Sequence, residues 1–264
     1  MWNITKQRLK EQRNSVLIYL GAIIGYTFLM ISLFPSMQKM DIESMLKEIP
    51  EDFSKFFGSD LASVYTTVEG YLSAEFLSFF FILIISFYIG SAAGSAIAGQ
   101  IERKTMDFNL SQPISRIKIV ISESIVALIY SALIVIVTSS AMLLFGKIFN
   151  APFKFNGILV FTLLATFFIW AIYGIAIFLS SLLRSKISVM LLTFGIALAS
   201  YVFLSLTRIV DKIKDFDHFS LFYLYDPQKL LQQAEINWNH LAVLALILIL
   251  GLSSALAIFN KKDV

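Results

Sequence analysis

The chain has 264 residues, of which 58% are apolar and 15% charged, whereas a soluble domain carries about 25% charged residues. Its mean hydropathy is +0.78. Its 25 phenylalanines add more apolar side chain than the polar surface of a soluble protein could shield from water. The lack of cysteine excludes disulfides and thiolate metal sites, and a net charge of +3 does not indicate nucleic-acid binding. The composition predicts an integral membrane protein.

Six stretches are apolar enough to cross a bilayer, because a hydrocarbon core of about 30 Å needs about 20 apolar helical residues. In chain order, the predicted spans are residues 15–34, 76–99, 119–146, 157–183, 187–207 and 241–260. These apolar runs are continuous and do not alternate, which favours helices over barrel strands. We therefore expect an all-α integral membrane protein with six transmembrane helices, folded as one domain over residues 1–264.

Lys and Arg set the expected orientation, because they concentrate on the cytoplasmic side of membrane proteins. Residues 1–14 and 100–118 carry four Lys or Arg each, whereas most Asp and Glu lie in residues 35–75 and 207–239. We expect both termini in the cytoplasm, with residues 35–75 and 207–239 as outer loops. The basic segment 1–14, which also contains Trp2, is predicted as an amphipathic helix lying on the inner leaflet.

Two pairs of glycines have the G-x-x-x-G spacing that permits close contact between membrane helices. Gly21 and Gly25 lie in the first predicted span, and Gly90 and Gly94 lie in the second. Such pairs serve either helix packing within one subunit or the seam of a dimer. We favour packing within one subunit for both pairs.

Glu123 is the one acidic or basic residue inside the predicted spans, close to the start of the third. Ionisable residues in spans are often functional, so one interpretation gives Glu123 a part in coupling. The other is a structural carboxylate that pairs with headgroups or a nearby cation. Its neighbours one turn earlier, Ile119 and Val120, are apolar, so any partner must come from another segment.

The motifs of common membrane enzymes and pumps are absent from the sequence. It contains no H-E-x-x-H, no G-x-S-x-G and no G-x-x-x-x-G-K-[ST], and its two histidines, His218 and His240, lie outside the spans. No chain of ionisable residues crosses the membrane, as a proton-coupled carrier would need. We therefore predict no catalytic site, no metal site and no ATP site of its own.

The connection between the second and third spans is the most informative part of the chain. From Gly99 it reads GQIERKTMDFNLSQPISR. Residues 101–110 are predicted as a short helix that ends before Pro113, because the residue before a proline disfavours the α region. Apolar side chains lie on more than one side of this helix, and a cytoplasmic helix of that kind needs a partner.

This connection resembles the cytoplasmic coupling loop of type 2 ABC transporter permeases. That family typically shows an acidic residue, Gly-Thr, a hydrophobic run and then Ser-x-Pro-x-Ser-Arg, which Glu102, Thr105, Leu110 and residues 111–116 match. The departure is Lys104, where glycine is common. Two further stretches, residues 69–72 and 220–227, resemble the same family, and the likeness in span number and loop order covers the whole chain.

The resemblance implies a permease that forms the translocation path as a dimer, with a second copy or a paralogue. Two separate ATPase subunits, which bind ATP and Mg, would drive it through the loop at residues 100–116. The residues implied in ATPase coupling are Ile101, Glu102, Thr105, Met106, Phe108, Leu110, Pro113 and Arg116. The residues implied in an outer gate before the last span are Phe222, Tyr223, Tyr225 and Pro227.

We therefore expect the permease subunit of an ABC exporter in a bacterial or archaeal cytoplasmic membrane. The alternative is an ATP-independent six-helix channel or carrier, and a membrane enzyme is disfavoured by the missing catalytic residues. The substrate stays open between a drug, a peptide, a lipid and a glycan, since an apolar path suits many amphiphiles.

Overall fold

The computed structural model describes residues 2–38, 64–104 and 115–261. Over these ranges the chain is helical and contains no strand, as the sequence predicts. The α-helices of these ranges, in chain order, are α1 (Trp2–Met37), α2 (Val68–Leu72), α3 (Phe80–Ala96), α4 (Ala98–Glu102), α5 (Arg116–Ile148), α6 (Phe155–Leu182), α7 (Lys186–Ile209), α8 (Pro227–Gln233) and α9 (Trp238–Lys261). A π-helical segment at Ser73–Leu77 follows α2, and two 3-10 segments, Asp211–Phe219 and Leu221–Leu224, precede α8.

Among the described residues, five helices are long and apolar enough to span a membrane, and a bent helix pair would make a sixth span. The continuous ones are Thr5–Met37, Ile117–Ile148, Phe155–Leu182, Lys186–Ile209 and Trp238–Lys261. The bent one joins Val68–Leu77 to Phe80–Ala96 at an angle of 41°. The predicted all-α class is thus confirmed, with five continuous helices and one broken pair in place of six uniform spans.

The first helix differs from its prediction, because residues 1–14 do not form a separate amphipathic helix. α1 runs without interruption through its 36 residues, which is about 54 Å at 1.5 Å per residue. Its first four turns contain no glycine or proline and are rich in strong helix formers. The Arg8 guanidinium also pairs with Glu11 at 2.8 Å, one turn along the helix.

The second predicted span, residues 76–99, is interrupted where the sequence shows no proline. The backbone leaves helical geometry at Phe79 and again at Ile97. Near the first break, Tyr225 Oη donates to the Leu77 carbonyl at 3.3 Å. At the second, the Ala98 N–H donates to Ser180 Oγ at 3.1 Å. Side chains from other elements thus satisfy backbone groups at the breaks, which is the condition for non-helical backbone at membrane depth.

α6 is the central helix of the bundle. It packs along α9 and also contacts α3, α5 and α8, while α1 packs on α5 and α7 packs on α3. Successive long helices run in opposite directions, so the bundle has two ends. The proximal end contains Trp2, Glu102, Arg116, Lys186 and Lys261, and the distal end contains Met37, Val68, Ile148, Phe155, Ile209 and Trp238.

The two glycine pairs lie in different environments. A Cβ on Gly90 would come within 2.8 Å of Met190 Cα, and one on Gly94 within 3.0 Å of the Lys186 carbonyl. This pair therefore brings α3 against α7 inside the subunit. At Gly21 and Gly25 no described atom lies within 4 Å of such a Cβ, so the intrasubunit contact expected for that pair is absent.

Candidate functional site

The connection expected to couple to an ATPase begins at the proximal end, where α4 finishes. Ile101 lies in α4 and packs partly buried against the core, and Glu102 is its last residue. At the other side of the connection, α5 begins at Arg116 behind Ser115, whose hydroxyl accepts from the Lys118 N–H at 3.4 Å. The remaining coupling candidates lie outside the described residues: Thr105, Met106, Phe108, Leu110 and Pro113.

Lys104 ends α4 with a left-handed backbone. Its φ is 54°, and its N–H donates to the Ile101 carbonyl at 3.0 Å. Helices commonly finish on a left-handed residue just past the cap, and glycine adopts that conformation without a Cβ penalty. Lys104 stands where glycine is common in the family. The position requires a left-handed backbone, which glycine adopts most easily, so the lysine there is strained.

Glu102 caps the N-terminus of α7. Its Oε2 accepts from the backbone N–H of Lys186 at 2.9 Å, and its Oε1 accepts from Ser185 Oγ at 3.2 Å. Ser185 is the N-cap residue of α7 but makes no capping bond of its own. A carboxylate at a helix N-terminus satisfies free N–H groups and the helix dipole. Glu102 thus fastens the end of α4 to the start of α7.

Glu123 fastens α5 to the N-terminal turns of α1. The carboxylate is buried, and its Oε1 pairs with Arg8 Nε at 2.9 Å. Gln12 Nε2 donates to the other oxygen at 3.4 Å, and Tyr130 Oη donates to the Leu9 carbonyl at 2.6 Å. The partner of Glu123 comes from another segment, as its apolar neighbours require, and it is a basic residue of α1.

A second polar contact joins α5 to the central helix beside this ion pair. Tyr173 of α6 is buried, and its hydroxyl donates to Ser124 Oγ at 3.0 Å. Trp170 Nε1, also on α6, donates to the Leu128 carbonyl at 3.2 Å. The proximal half of α5 is therefore held by hydrogen bonds on the α1 side and on the α6 side.

At the distal end, two aromatic residues of the expected gate are anchored in the core. Tyr225 stacks on Phe168 with ring centroids 4.6 Å apart, and Phe222 meets the same ring edge-on at 5.2 Å. Burial, with a contribution from the Asp226 carboxylate, holds the pKa of Tyr225 well above its usual value. The hydroxyl therefore remains a donor to the Leu77 carbonyl, and this segment supports the broken span.

The other two gate candidates differ from each other. Pro227 is buried as the first residue of α8, behind the N-cap Asp226, whose side chain accepts from the Lys229 N–H. Tyr223 is 41% exposed, and its ring lies 5.4 Å from that of His240. Of the four candidates, only Tyr223 is free to change its contacts without opening the core.

Two contacts hold α8 against the rest of the distal end. A Cβ on Gly157 would come within 2.1 Å of the Leu231 carbonyl, so the start of α6 touches the α8 backbone. Gln232 Nε2 donates to Thr67 Oγ1 at 3.1 Å, and the same hydroxyl caps α2 through the Gly70 N–H. The sequence motifs indicated neither contact, because both join positions far apart in the chain.

These features define a polytopic α-helical membrane protein with one broken span, a proximal connection clamped to two helices and a short-helix segment before the last span. The family model described as ABC-2 family transporter protein matches residues 10–264. The chain belongs to this family, which confirms its resemblance to type 2 ABC permeases and makes it a membrane transport component. No curated protein and no solved structure matches it.

Proposed function

We propose that this chain is the transmembrane subunit of an ABC exporter and works as a dimer with a second copy or a paralogue. Two ATPase subunits on separate chains bind ATP and Mg and act on it through residues 100–116. The observation that carries the proposal is the family match over nearly the whole chain. Both termini lie in the cytoplasm of a bacterial or archaeal cell, and the substrate moves outward.

The clamps around the proximal connection support a coupling role. At its beginning, Glu102 is bonded to the start of α7. Seven residues after its end, Glu123 is paired with Arg8 of α1. A force applied to residues 100–116 would therefore reach α7 and α1 through polar contacts, in addition to the two helices that the connection joins. That arrangement suits a segment that receives movement from a partner.

Glycines that contact no other described helix support a dimer. Gly21 and Gly25 of α1 and Gly195 of α7 have no described atom within 4 Å of a built Cβ. The apolar windows of the first span and of α7 are each 22% buried and that of α9 is 11% buried, but the α9 glycine, Gly251, already packs on Gly174 of α6. Glycines permit close backbone approach between membrane helices, so α1 and α7 are the helices we assign to the seam.

Co-purification tests the proposal directly. The affinity-tagged chain, extracted from native membranes, should retain an ATPase that carries a P-loop, and vanadate-sensitive ATP hydrolysis should elute with it. The chain expressed without that ATPase should hydrolyse no ATP, because it has no phosphate-binding glycine loop. Transport by the chain reconstituted alone would contradict the proposal and favour an ATP-independent channel or carrier.

A further inference from the structure

A cleft of about 1350 Å³ lies at the distal end of the bundle. It is bounded by the last turns of α7, the first residues of α9 and the segment between them, with α6 behind. α7 packs on α3 whereas α9 packs on α6, so the two helices leave a space between their distal ends. Apolar side chains from each wall form the floor of the cleft: Leu164, Leu204, Phe222, Leu224 and Leu230.

The rim of the cleft carries charges of both signs. Arg208 and Lys214 line it and make no ion pair with any residue that the structure describes. Glu235 also lines it without a cationic partner among these residues, and Asp217 has only the neighbouring His218, at 3.7 Å. The two remaining charged side chains of the rim, Lys229 and Asp226, pair with each other at 3.4 Å. Among the described residues, the rim thus carries two unpaired cations and one unpaired carboxylate, and Asp217 beside them meets only His218.

The position of the cleft corresponds to the boundary of the membrane. α7 ends at Ile209 and α9 begins at Trp238, and both are membrane-spanning by length and composition. Trp238 is 68% exposed and lines the cleft together with Tyr223. Tryptophan and tyrosine mark the headgroup level of membrane proteins. A ligand reaching this cleft along the bilayer therefore arrives with its headgroup at the rim.

Exposed apolar side chains continue from the cleft towards the middle of the membrane. On α9, Val243 and Leu246 lie one and two turns beyond the cleft-lining Asn239 and are 42% and 53% exposed. These surfaces can accept acyl chains below the charged rim. A molecule that fits both parts is amphiphilic, with a charged head and two or more methylene chains.

We propose that the cleft binds a zwitterionic phospholipid whose headgroup carries a phosphate and a primary ammonium, as in phosphatidylethanolamine. Arg208 and Lys214 bind the phosphate oxygens, where the planar guanidinium can donate two parallel bonds. Glu235 and Asp217 accept from the ammonium. A purely anionic headgroup would leave both carboxylates facing negative charge, and a neutral sugar would leave both cations without a counter-ion.

This lipid site does not depend on the proposed ATPase partnership, since it requires only the membrane placement and the cleft. It gives a role to the rim charges that have no carboxylate–cation pair with Lys or Arg among the described residues, which are Arg208, Lys214, Asp217 and Glu235. A bound lipid would add a direct link between the distal ends of α7 and α9, which the described residues connect through the segment between them.

Lipid retention measured by native mass spectrometry tests the assignment. The full chain is delipidated in detergent and offered phosphatidylethanolamine, phosphatidylglycerol, phosphatidylcholine or a neutral glycosyl diacylglycerol, all with matched acyl chains. One phosphatidylethanolamine should be retained per chain in preference to the other three. The R208Q/K214Q double variant should lower its retention about tenfold or more, because two charge-assisted contacts to phosphate are lost.

The matched control is Lys147→Gln, which removes an exposed cation at the distal end of α5, away from the cleft. It should retain lipid as the parent does. Glu235→Gln should reduce the preference for phosphatidylethanolamine over phosphatidylglycerol, since the carboxylate that meets the ammonium is gone. This selectivity ratio remains decisive even if the R208Q/K214Q variant does not fold.

Three results would overturn the proposal. Retention that R208Q/K214Q leaves unchanged, or that Lys147→Gln lowers equally, would show that the cleft is not the lipid site. Preference for the glycosyl lipid would assign a sugar headgroup to it. An unchanged selectivity ratio in Glu235→Gln would show that no ammonium is recognised there.

Discussion

Lys104 stands out in the sequence as a departure from the family pattern, but only its backbone conformation explains why glycine is common there. The sequence marks it as a departure from glycine, and its φ of 54° supplies the reason for the family's choice. A left-handed conformation costs an L-residue with a Cβ roughly 1–2 kcal/mol. The chain therefore carries local strain at the point where α4 leads into residues 105–114.

Lys104→Gly should stabilise the protein by about 0.5–1 kcal/mol, because relief of the left-handed strain exceeds the added freedom of the unfolded chain. Thermal unfolding of the purified protein measures it. Lys147→Gly, which puts the same change inside α5, should instead destabilise by up to about 1 kcal/mol. A lower unfolding temperature for Lys104→Gly would show that the left-handed turn is not strained.

Glu123 was recognisable in the sequence as the single charge in the spans, but its partner was not. Arg8 lies more than a hundred positions earlier in the chain, and no local periodicity connects the two. The ion pair is also asymmetric. Arg8 has a second carboxylate, Glu11, at 2.8 Å and partial access to solvent, whereas Glu123 is buried and, among the described residues, is bonded besides Arg8 only to Gln12.

This asymmetry predicts unequal effects of the two substitutions. Arg8→Ala should destabilise by about 2–4 kcal/mol, because it leaves a buried carboxylate without a cation. Glu123→Gln should cost only about 1 kcal/mol, since the amide can still accept a hydrogen bond and Arg8 keeps Glu11. Arg8→Lys is the matched control and should retain most of the stability. Equal unfolding temperatures for Arg8→Ala and Arg8→Lys would contradict the pairing.

At the scale of elements, span existence was predictable and span continuity was not. Apolar length alone placed five spans within about three residues of the observed helices at most ends, because the bilayer demands it. The breaks at Phe79 and Ile97 depend on Tyr225 and Ser180, which satisfy the nearby backbone groups from other elements. A pattern read along one segment cannot reveal bonds that arrive from another.

Helix contacts through glycine show the same limit. The spacing rule indicated Gly90 and Gly94 correctly as contacts within the subunit, but assigned the same role to Gly21 and Gly25. It missed the close α6–α9 contact altogether, in which a Cβ on Gly251 would lie 2.1 Å from the Gly174 carbonyl. One glycine comes from each helix there, so neither sequence segment contains a motif.

Gly251→Ala should therefore separate α9 from α6 and destabilise the protein by about 1–3 kcal/mol, as overpacking does. Ser253→Ala is the control on α9, where the exposed hydroxyl bonds back to the Ile249 carbonyl of its own helix and alanine is the better helix former. Thermal unfolding in one detergent compares the two variants. An unfolding temperature for Gly251→Ala equal to or above that of the parent would contradict the close α6–α9 contact.

For the whole molecule, the bundle concentrates its polar contacts at two ends. At the proximal end they clamp the flanks of residues 105–114 to α1 and α7, and at the distal end they fix the short helices before the last span. The apolar helices between them carry few polar links among the described residues. This division suits a permease that receives movement at one end and changes its path towards the other.

The resemblance of residues 99–116 identified the family whose model matches residues 10–264. The coupling contact itself remains a prediction, because its central residues, Met106 and Phe108 among them, lie outside the described ranges. A partner bound there would bury the apolar side chains of this segment. An ATPase-driven permease would therefore be coupled to its ATPase through this short segment.

The most direct test is ATPase retention on the Met106→Ala/Phe108→Ala variant, purified from native membranes and measured together with transport. Each buried apolar side chain contributes roughly 1.5–3 kcal/mol, so two truncations should weaken ATPase binding by about two orders of magnitude or more. Phe216→Ala/Phe219→Ala, which truncates two exposed distal rings, should retain both activities. Full ATPase retention and normal transport in Met106→Ala/Phe108→Ala would contradict coupling through residues 100–116.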